Sequence, residues 1–507
     1  LKKLQDIEAE RNQRLLGNGL ASIERQHVQG KLTARERINY LFDTGTFKEI
    51  DFWSDTYKYG EIDGEEIIPG DGVVVGWGEV NGRPAYAWAQ DATLLNGTMA
   101  EVHIAKIVRV MEKALTERVP IVGIYDTEGL RLHSAVMAHS FCSYSTMLKF
   151  QTLSSGVIPQ IALIMGPCVE GAALSAPLAD FVFMVKNKSY LHINPVGDQV
   201  TREEYGGAQM HATQTGTCAV LAKSDEECIE KCKELLSFLP QNNYELPPRT
   251  ANNDPVNRRD EELLHIIPDK TTKGYDMRRI IRLVADDNNY FEILAEYAPN
   301  LTVGFARFDG QPVGIIANNP FWLGGCENSK SSVKHARFNR FCDAFNIPIV
   351  YFADCPGFVP SVEEEHSGIL RRGSMVIHAT SEATVPTVSI IVRKIYGGAQ
   401  LVMPSNLCKT DRIWAWPTVE RGTMGADALT EVMFKGRLER AATQEEKAII
   451  RKEAKQRMEK AIARSAKVGN EEIIDPRDTR STIIQALKSL KHKPSDWPER
   501  KHDNINM

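Results

Sequence analysis

The sequence predicts an α/β fold in which one domain occurs twice, and three observations carry that prediction. Short motifs recur at a nearly constant interval. Pro84 and Pro312, Pro120 and Pro348, and Asp126 and Asp354 are each 228 residues apart (312 − 84, 348 − 120, 354 − 126). Pro159 and Pro386, Gly171 and Gly398, and Pro177 and Pro404 are each 227 apart (386 − 159, 398 − 171, 404 − 177). Self-similarity at a fixed interval marks duplicated structure, and a repeat this long is a whole domain rather than a solenoid unit. Next, short apolar strands alternate with helical stretches, the pattern of crossover units in a mainly parallel sheet. Last, 507 residues suffice for two domains, each of roughly 250 residues and able to bury about three quarters of its unfolded surface.

The elements follow in order. Residues 1–40 are charged and helix-prone, and Thr33-x-x-Glu36 fits a capping box. Short apolar strands are predicted at 73–77 and 84–88, a helix over 99–117, a strand over 121–125, and a further helix leading to a strand at 161–165. A gly-containing turn should follow that last strand. The run 239–255 is rich in Pro and Asn and without period, so it reads as the interdomain linker. The domains are therefore placed at 1–245 and 246–507, and the strand–helix order resumes at Gly304. Thr443-x-x-Glu446 starts a charged helix to about Lys467, with Gly469 placed to stop it. That helix is expected to be a solvated or subunit-facing extension.

Composition excludes several classes. A formal charge of −5 with 25% charged residues gives no basic excess for nucleic acid. No run of apolar residues is long enough for a membrane span, and Leu1-Lys2-Lys3-Leu4 has no apolar signal region. The expected location is the cytoplasm, or the mitochondrial matrix in a eukaryote. Nine cysteines are scattered without a C-x-x-C pair, which predicts buried, reduced thiols. Cys228 and Cys232 share a helical face but make a poor zinc site, and no metal is expected.

The strongest local signal is Gly166-Pro-Cys168-Val-Glu170-Gly171-Ala172-Ala-Leu-Ser175. A buried strand, a turn and a helix of small residues in direct succession point backbone N–H groups at one spot, where an anion would be favoured. The second copy, Lys394-Ile-Tyr396-Gly397-Gly398-Ala399, stands at the same point after its own strand. Glycines here also suit a plain tight turn and helix–sheet packing, and that reading competes. Two copies at one offset favour a site. Backbone donors of this kind stabilise oxyanions, each by roughly 2.7–4 kcal/mol. No Ser-His-Asp or paired-carboxylate constellation accompanies them.

The residues resemble a family. Gly30-Lys-Leu-Thr-Ala-Arg-Glu-Arg37, Gly70-Asp-Gly-Val-Val74, Ser155-Gly-Val-Ile-Pro-Gln-Ile161, Phe341-Cys-Asp-Ala-Phe-Asn-Ile-Pro348, Pro356-Gly-Phe358, Glu382-Ala-Thr-Val-Pro386 and Tyr396-Gly-Gly-Ala399 are similar to the carboxyltransferase (β/12S-type) subunits of biotin-dependent acyl-CoA carboxylases and transcarboxylases. The likeness runs through nearly the whole chain in the family's order. It implies two crotonase-like (ClpP/crotonase) domains. The first would be the acyl-CoA side and the second the biotin side, in a homohexamer or a hetero-oligomer with a homologous subunit. Gly171 and Ala172 would hold the enolate oxygen of a short acyl-CoA, propionyl-CoA or methylmalonyl-CoA or a close relative, with Gly129, Leu130, Arg131, Gly166, Cys168 and Leu401 around it. Gly398 and Ala399 would hold the ureido oxygen of biotin, with Pro356, Gly357, Phe358, Lys394, Tyr396 and Gly397 forming that pocket. The carboxyl group would pass between carboxybiotin and the acyl α-carbon without a side-chain base, so Lys394 and Tyr396 would shape the pocket. No Ala-Met-Lys-Met biotinylation motif and no phosphate loop occur in the chain. Biotin would come from a biotin carboxyl carrier partner, loaded by a biotin carboxylase subunit.

The chain also departs from the family's usual motifs. Asp126-Thr-Glu128-Gly129-Leu130-Arg131-Leu-His133 stands where relatives carry Asp-Ser-Gly-Gly-Ala-Arg-Ile-Gln, and Glu170-Gly171-Ala172 where they carry Gly-Gly-Ala. A different acyl substrate, side chains turned away from the site, or a first site without catalysis would each account for this. The resemblance equally allows a decarboxylase α-subunit or a non-catalytic partner of an active homologue. His133 and His366 read as hydrogen-bonded histidines rather than acid–base groups.

Overall fold

The structure is a computed structural model and describes residues 2–57, 67–131, 139–403 and 410–493. The chain divides into two compact units, Leu1–Leu246 and Pro247–Met507. Among the described residues no helix is long and apolar enough to cross a membrane.

The sheet of the first unit contains β1 (Lys48–Ile50), β2 (Val73–Val80), β3 (Arg83–Gln90), β4 (Ile121–Thr127), β5 (Gln160–Val169), β6 (Phe181–Val185), β7 (Tyr190–His192) and β8 (Cys218–Ala222). Its order is β1-β2-β3-β4-β5-β6-β8, with β7 pairing the end of β5. In the second unit, β9 (Tyr290–Ile293), β10 (Leu301–Phe308), β11 (Gln311–Asn318), β12 (Ile349–Cys355), β13 (Thr387–Tyr396), β14 (Arg412–Ala415), β15 (Glu420–Gly422) and β16 (Glu472–Ile473) repeat that order, with β15 on the end of β13.

Each sheet begins antiparallel and continues parallel. The antiparallel pair is a tight hairpin in both, turned by Asn81-Gly82 and by Asp309-Gly310, all four residues at positive φ. This is the two-residue turn whose twist matches its strands, and it needs residues that tolerate that conformation. The parallel strands are buried along nearly their whole length, β4 and β12 at every position, because helices cover both faces.

The helices that matter below are α1 (Ala34–Leu41), α2 (Glu101–Glu117), α3 (Gly171–Ser175), α4 (Asp225–Phe238), α5 (Ser329–Ala344), α6 (Ile369–Glu382), α7 (Ala399–Val402) and α8 (Gln444–Ser465). Thr33 and Glu36 form the capping box at α1. Helix α8 buries only Ile450, Ala454 and Ile462, an amphipathic stripe too narrow for a core helix. Seven described cysteines are free thiols and six of them are buried.

The strand expected at 161–165 is longer than its apolar run. β5 continues to Val169, since β7 pairs Pro167, Cys168 and Val169 with Tyr190, Leu191 and His192. Gly166 and Cys168 therefore lie in the strand, and the turn begins only at Glu170.

Candidate active site

Both units end their fourth long strand in the same backbone figure. At the end of β5, Glu170 takes φ 56°, ψ −131° and α3 begins at Gly171. The Glu170 N–H donates to His192 O at 3.1 Å, and the Ala173 N–H donates to Glu170 O at 3.1 Å. Between them the N–H groups of Gly171 and Ala172 have no acceptor among the described residues. At the end of β13, Gly397 takes φ 48°; its N–H donates to Gly422 O at 3.0 Å, and the Gln400 N–H donates to Gly397 O at 3.1 Å. Gly398 and Ala399 are left with unengaged N–H groups in the same way. Two adjacent first-turn donors without acceptors form an anion-accepting pair, present once in each unit.

A second turn faces each pair. Met99 N–H donates to Gly129 O at 2.9 Å and Arg131 N–H to Met99 O at 2.8 Å; Glu327 N–H donates to Gly357 O at 2.9 Å and Val359 N–H to Glu327 O at 2.8 Å. In the first unit this turn meets Glu170. A Cβ on Gly129 would stand 2.4 Å from Glu170 Oε2, and Leu130 N–H donates to that oxygen at 3.2 Å. In the second unit it meets Gly398, where a Cβ would come 3.1 Å from the Phe358 ring. The structure thus gathers Gly129, Leu130, Gly171 and Ala172 in one unit, and Gly357, Phe358, Gly397, Gly398 and Ala399 in the other. An aromatic wall beside two unengaged donors fits a flat urea-like group.

The chain as a whole matches a known family. The carboxyl transferase domain matches residues 25–505. The chain belongs to this family. Among its relatives, the propionyl-CoA carboxylase beta chain of Roseobacter denitrificans is 39% identical, over 99% of both chains. The methylmalonyl-CoA decarboxylase subunit alpha of Veillonella parvula is 42% identical, over 97% of this chain and 96% of that one. Transcarboxylase 12S, solved with methylmalonyl-coenzyme A and methylmalonic acid bound, superposes with a TM-score of 0.93 at 37% identity, covering 99% of this chain and 98% of that one. The carboxyl transferase chain accordingly has the two crotonase-like domains expected of it.

The other residues expected at the site have partners or positions of their own. Gly166 faces Asp126, whose Oδ1 lies 1.9 Å from where a Cβ would be. Cys168 is fully buried in the core and desolvation pushes its thiol up. Arg131 turns back to the buried Asp71 at 2.6 Å and to Thr98 O at 2.9 Å. Leu401 is exposed on α7, and His133 lies outside the described residues. Glu128 forms a two-pronged ion pair with Arg202. Lys394 Nζ donates to Thr271 O at 2.6 Å, and burial followed by Arg393 lowers its pKa. The Tyr396 hydroxyl donates to Glu420; burial and that carboxylate push the phenol up, which suits a wall better than a proton carrier.

Sequence reasoning missed the anchors of the turns. Asp126, at a register shift in the β4–β5 pairing, accepts from Lys31 Nζ at 2.9 Å and Arg37 Nη1 at 2.8 Å. Arg37 also reaches Asp225 Oδ2 at 2.7 Å and Met165 O at 3.0 Å. Asp354 sits at the equivalent shift and accepts from Arg393 Nε at 2.9 Å, Tyr275 OH at 2.8 Å and Lys394 N–H at 3.0 Å. The Gly30–Arg37 motif was visible as a resemblance; its job, bonding a carboxylate behind the first turn, was not.

Proposed function

We propose that this chain is the carboxyltransferase subunit of a biotin-dependent enzyme, moving a carboxyl group to or from the α-carbon of a short acyl-CoA of the propionyl-CoA/methylmalonyl-CoA kind. One observation carries the reading: two adjacent backbone N–H groups without acceptors stand at the same point of both units. Gly171 and Ala172 would receive the thioester oxygen as it becomes an enolate oxygen. Each such donor contributes roughly 2.7–4 kcal/mol where charge develops, so the pair would stabilise the enolate, and the α-proton would pass to the biotin nitrogen freed of its carboxyl group rather than to a side-chain base. Gly398 and Ala399, with Phe358 beside them, would hold the ureido oxygen of biotin. Biotin, brought by a carrier subunit and charged by a biotin carboxylase partner, supplies or takes up the carboxyl group. Lys394 and Tyr396 would only shape that pocket. The relative named transcarboxylase 12S is described as a hexamer, and a hexamer is the assembly proposed for this chain.

The 42% identical decarboxylase subunit favours a second reading of direction, in which the same two turns remove a carboxyl group from the acyl-CoA. One experiment addresses both. Purified chain with biotin or a biotinylated carrier is offered malonyl-CoA, methylmalonyl-CoA and larger dicarboxylic acyl-CoAs, and carboxyl transfer is followed both ways. Gly171→Val and Gly398→Val keep their N–H groups but press a side chain against the Tyr144 and Phe358 rings; a shift of the turn that takes one donor out of reach should lower turnover on the order of 10²–10³-fold. Full turnover in either variant, with assembly intact, would sink the two-turn reading.

A further inference from the structure

The two units differ most in the layer between the sheet and the helix that follows its second long hairpin strand. In the first unit Met99, Ile104, Ile107 and Met111 from α2 and its entry join Ala162 of the sheet in one apolar cluster, and the Trp88 ring covers Gly123, its Nε1 a polar atom without a partner among the described residues. Shifted by 228 residues in the first five cases and 227 in the last (327 − 99, 332 − 104, 335 − 107, 339 − 111, 351 − 123, 389 − 162), the second unit has Glu327, Ser332, His335, Asn339, Tyr351 and Ser389. Six apolar positions have become six polar ones at the same backbone sites.

All six are buried, none more than 1% exposed. Some of their polar atoms are paired. His335 Nδ1 lies 3.1 Å from Glu327 Oε1, Ser331 Oγ donates to Glu327 Oε2 at 2.7 Å, and Asn339 Nδ2 donates to Tyr351 OH at 2.7 Å. Four others have no partner among the described residues: His335 Nε2, Ser332 Oγ, Asn339 Oδ1 and Ser389 Oγ. Asn318 Nδ2, at the end of β11, is a fifth.

These atoms share one layer. Ser332, His335 and Asn339 succeed one another along one face of α5 at spacings of three and four. The sheet row under them is Ile316, Tyr351 and Ser389, joined by strand pairing and so on one face. The His335 and Tyr351 rings are 6.2 Å apart. A buried donor or acceptor left unpaired costs about 1–3 kcal/mol, and five in one layer are not sustained without a polar guest. Buried water typically makes about three hydrogen bonds to such groups.

We propose that this layer is an internal water site, in which bound water bridges His335 Nε2 to the neighbouring Ser332, Asn318, Asn339 and Ser389, and that the hydrated His335–Glu327 pair is the support of the Gly357–Phe358 turn. Glu327 is the link. Its backbone makes both hydrogen bonds to that turn, through Gly357 O and Val359 N–H, while its side chain reaches into the layer. His335 and Glu327 are positioning residues here. Their bearing on catalysis rests on the reading of the second turn as the biotin site, whereas the water itself does not.

The test is a high-resolution crystal structure of the full chain, joined to hydrogen exchange. Ordered water within hydrogen-bond distance of His335 Nε2 and of at least one other orphan atom is expected. A dry layer, or one whose polar atoms have turned to pair with each other, overturns the site. In Glu327→Met/His335→Ile, which installs the first unit's residues, amide exchange over 357–359 should rise several-fold while exchange in α2 and acyl-CoA affinity stay unchanged. Unchanged exchange overturns the support of the turn. Should that variant not fold, His335→Ile alone is read the same way. His335→Gln, which restores a hydrogen-bonding amide, should recover the wild-type rate. These readouts do not require turnover, so they can fail separately from the proposed activity.

Discussion

The first turn is strained and charged where the second is relaxed and neutral. Glu170 and Gly397 occupy equivalent points, both at positive φ, both donating N–H to the short strand beside them. Glycine takes that conformation freely, and glutamate pays for it. The anchors differ as well. Asp354 is held mainly by Arg393, from the neighbouring strand, and by Tyr275. At the place of Arg393 the first unit has Gly166 (393 − 166 = 227), and the missing charge comes from Lys31 and Arg37 far upstream. The duplicated domain has kept its backbone figure while changing which side chains pin it. What is shared is therefore the pair of donors, and what differs is the environment each donor pair offers its ligand.

The largest expected break in this comparison comes from the anchors. Arg37 is 1% exposed and bridges two buried carboxylates. Arg37→Met would strand Asp126 with Lys31 alone and leave Asp225 with only the Leu32 N–H and no cation, and breaking a buried pair from one side costs about 3–5 kcal/mol. Arg393→Met leaves Asp354 with Tyr275 and the Lys394 N–H, so its loss should be the smaller. Urea unfolding of both variants checks the order; an equal or larger loss in Arg393→Met would mean the two anchors are not the counterparts their positions suggest.

This asymmetry also marks what could be read from the chain alone. The antiparallel hairpins went unread, although Asn81-Gly82 and Asp309-Gly310 are local turn signals; the parallel core was legible because its strands are continuous apolar runs alternating with helices. The donor pairs were legible because Gly and Ala stand at equal offsets. Arg37 and its carboxylates were not, since they lie 89 and 188 residues apart and no local pattern joins them. The reach of β5 to Val169 was hidden by Gly166-Pro167, which reads as a strand end; the short strand β7 overrides it by pairing across the proline. The polar layer under α5 was equally hidden, because Ser332, His335 and Asn339 look like an ordinary solvated helix face until the sheet is laid against them.

A smaller change sharpens the comparison at the turn itself. Glu170→Gly makes the first turn like the second. The positive-φ strain relieved is on the order of 1–3 kcal/mol, against a net hydrogen bond to Leu130 N–H of about 1 kcal/mol. The variant should be more stable by roughly 1 kcal/mol, read as a higher urea midpoint. It also removes a carboxylate that would repel a dicarboxylic acyl-CoA in the low dielectric of a closed site. Turnover of methylmalonyl-CoA relative to a monocarboxylic acyl-CoA should therefore rise. Glu170→Gln separates the effects, because it keeps the strain and loses the charge; a rise in Gly but not in Gln would assign the effect to backbone shape instead.

A comparison by pH concerns two buried lysines at one repeated position (334 − 106 = 228). Lys106 Nζ donates to Gly70 O at 2.9 Å and Val73 O at 2.6 Å; Lys334 Nζ donates to Leu294 O and Tyr297 O, each at 2.8 Å, and to Leu301 O at 2.6 Å. Burial lowers both, Lys106 to about 8 and Lys334 to about 7, from 10.5. With the folded pKa below the unfolded one, the unfolded chain binds more protons between those values, so this contribution to stability rises with pH across the window. The burden of a buried ammonium is fully present below the folded pKa and gone above 10.5. For Lys334 the rise should start near pH 7 and for Lys106 near pH 8. The urea midpoint of Lys334→Met should climb less steeply than wild type from pH 7 upward, and that of Lys106→Met only above pH 8. Identical slopes in wild type and both variants would show that the carbonyl oxygens around each ammonium offset its desolvation in both units alike.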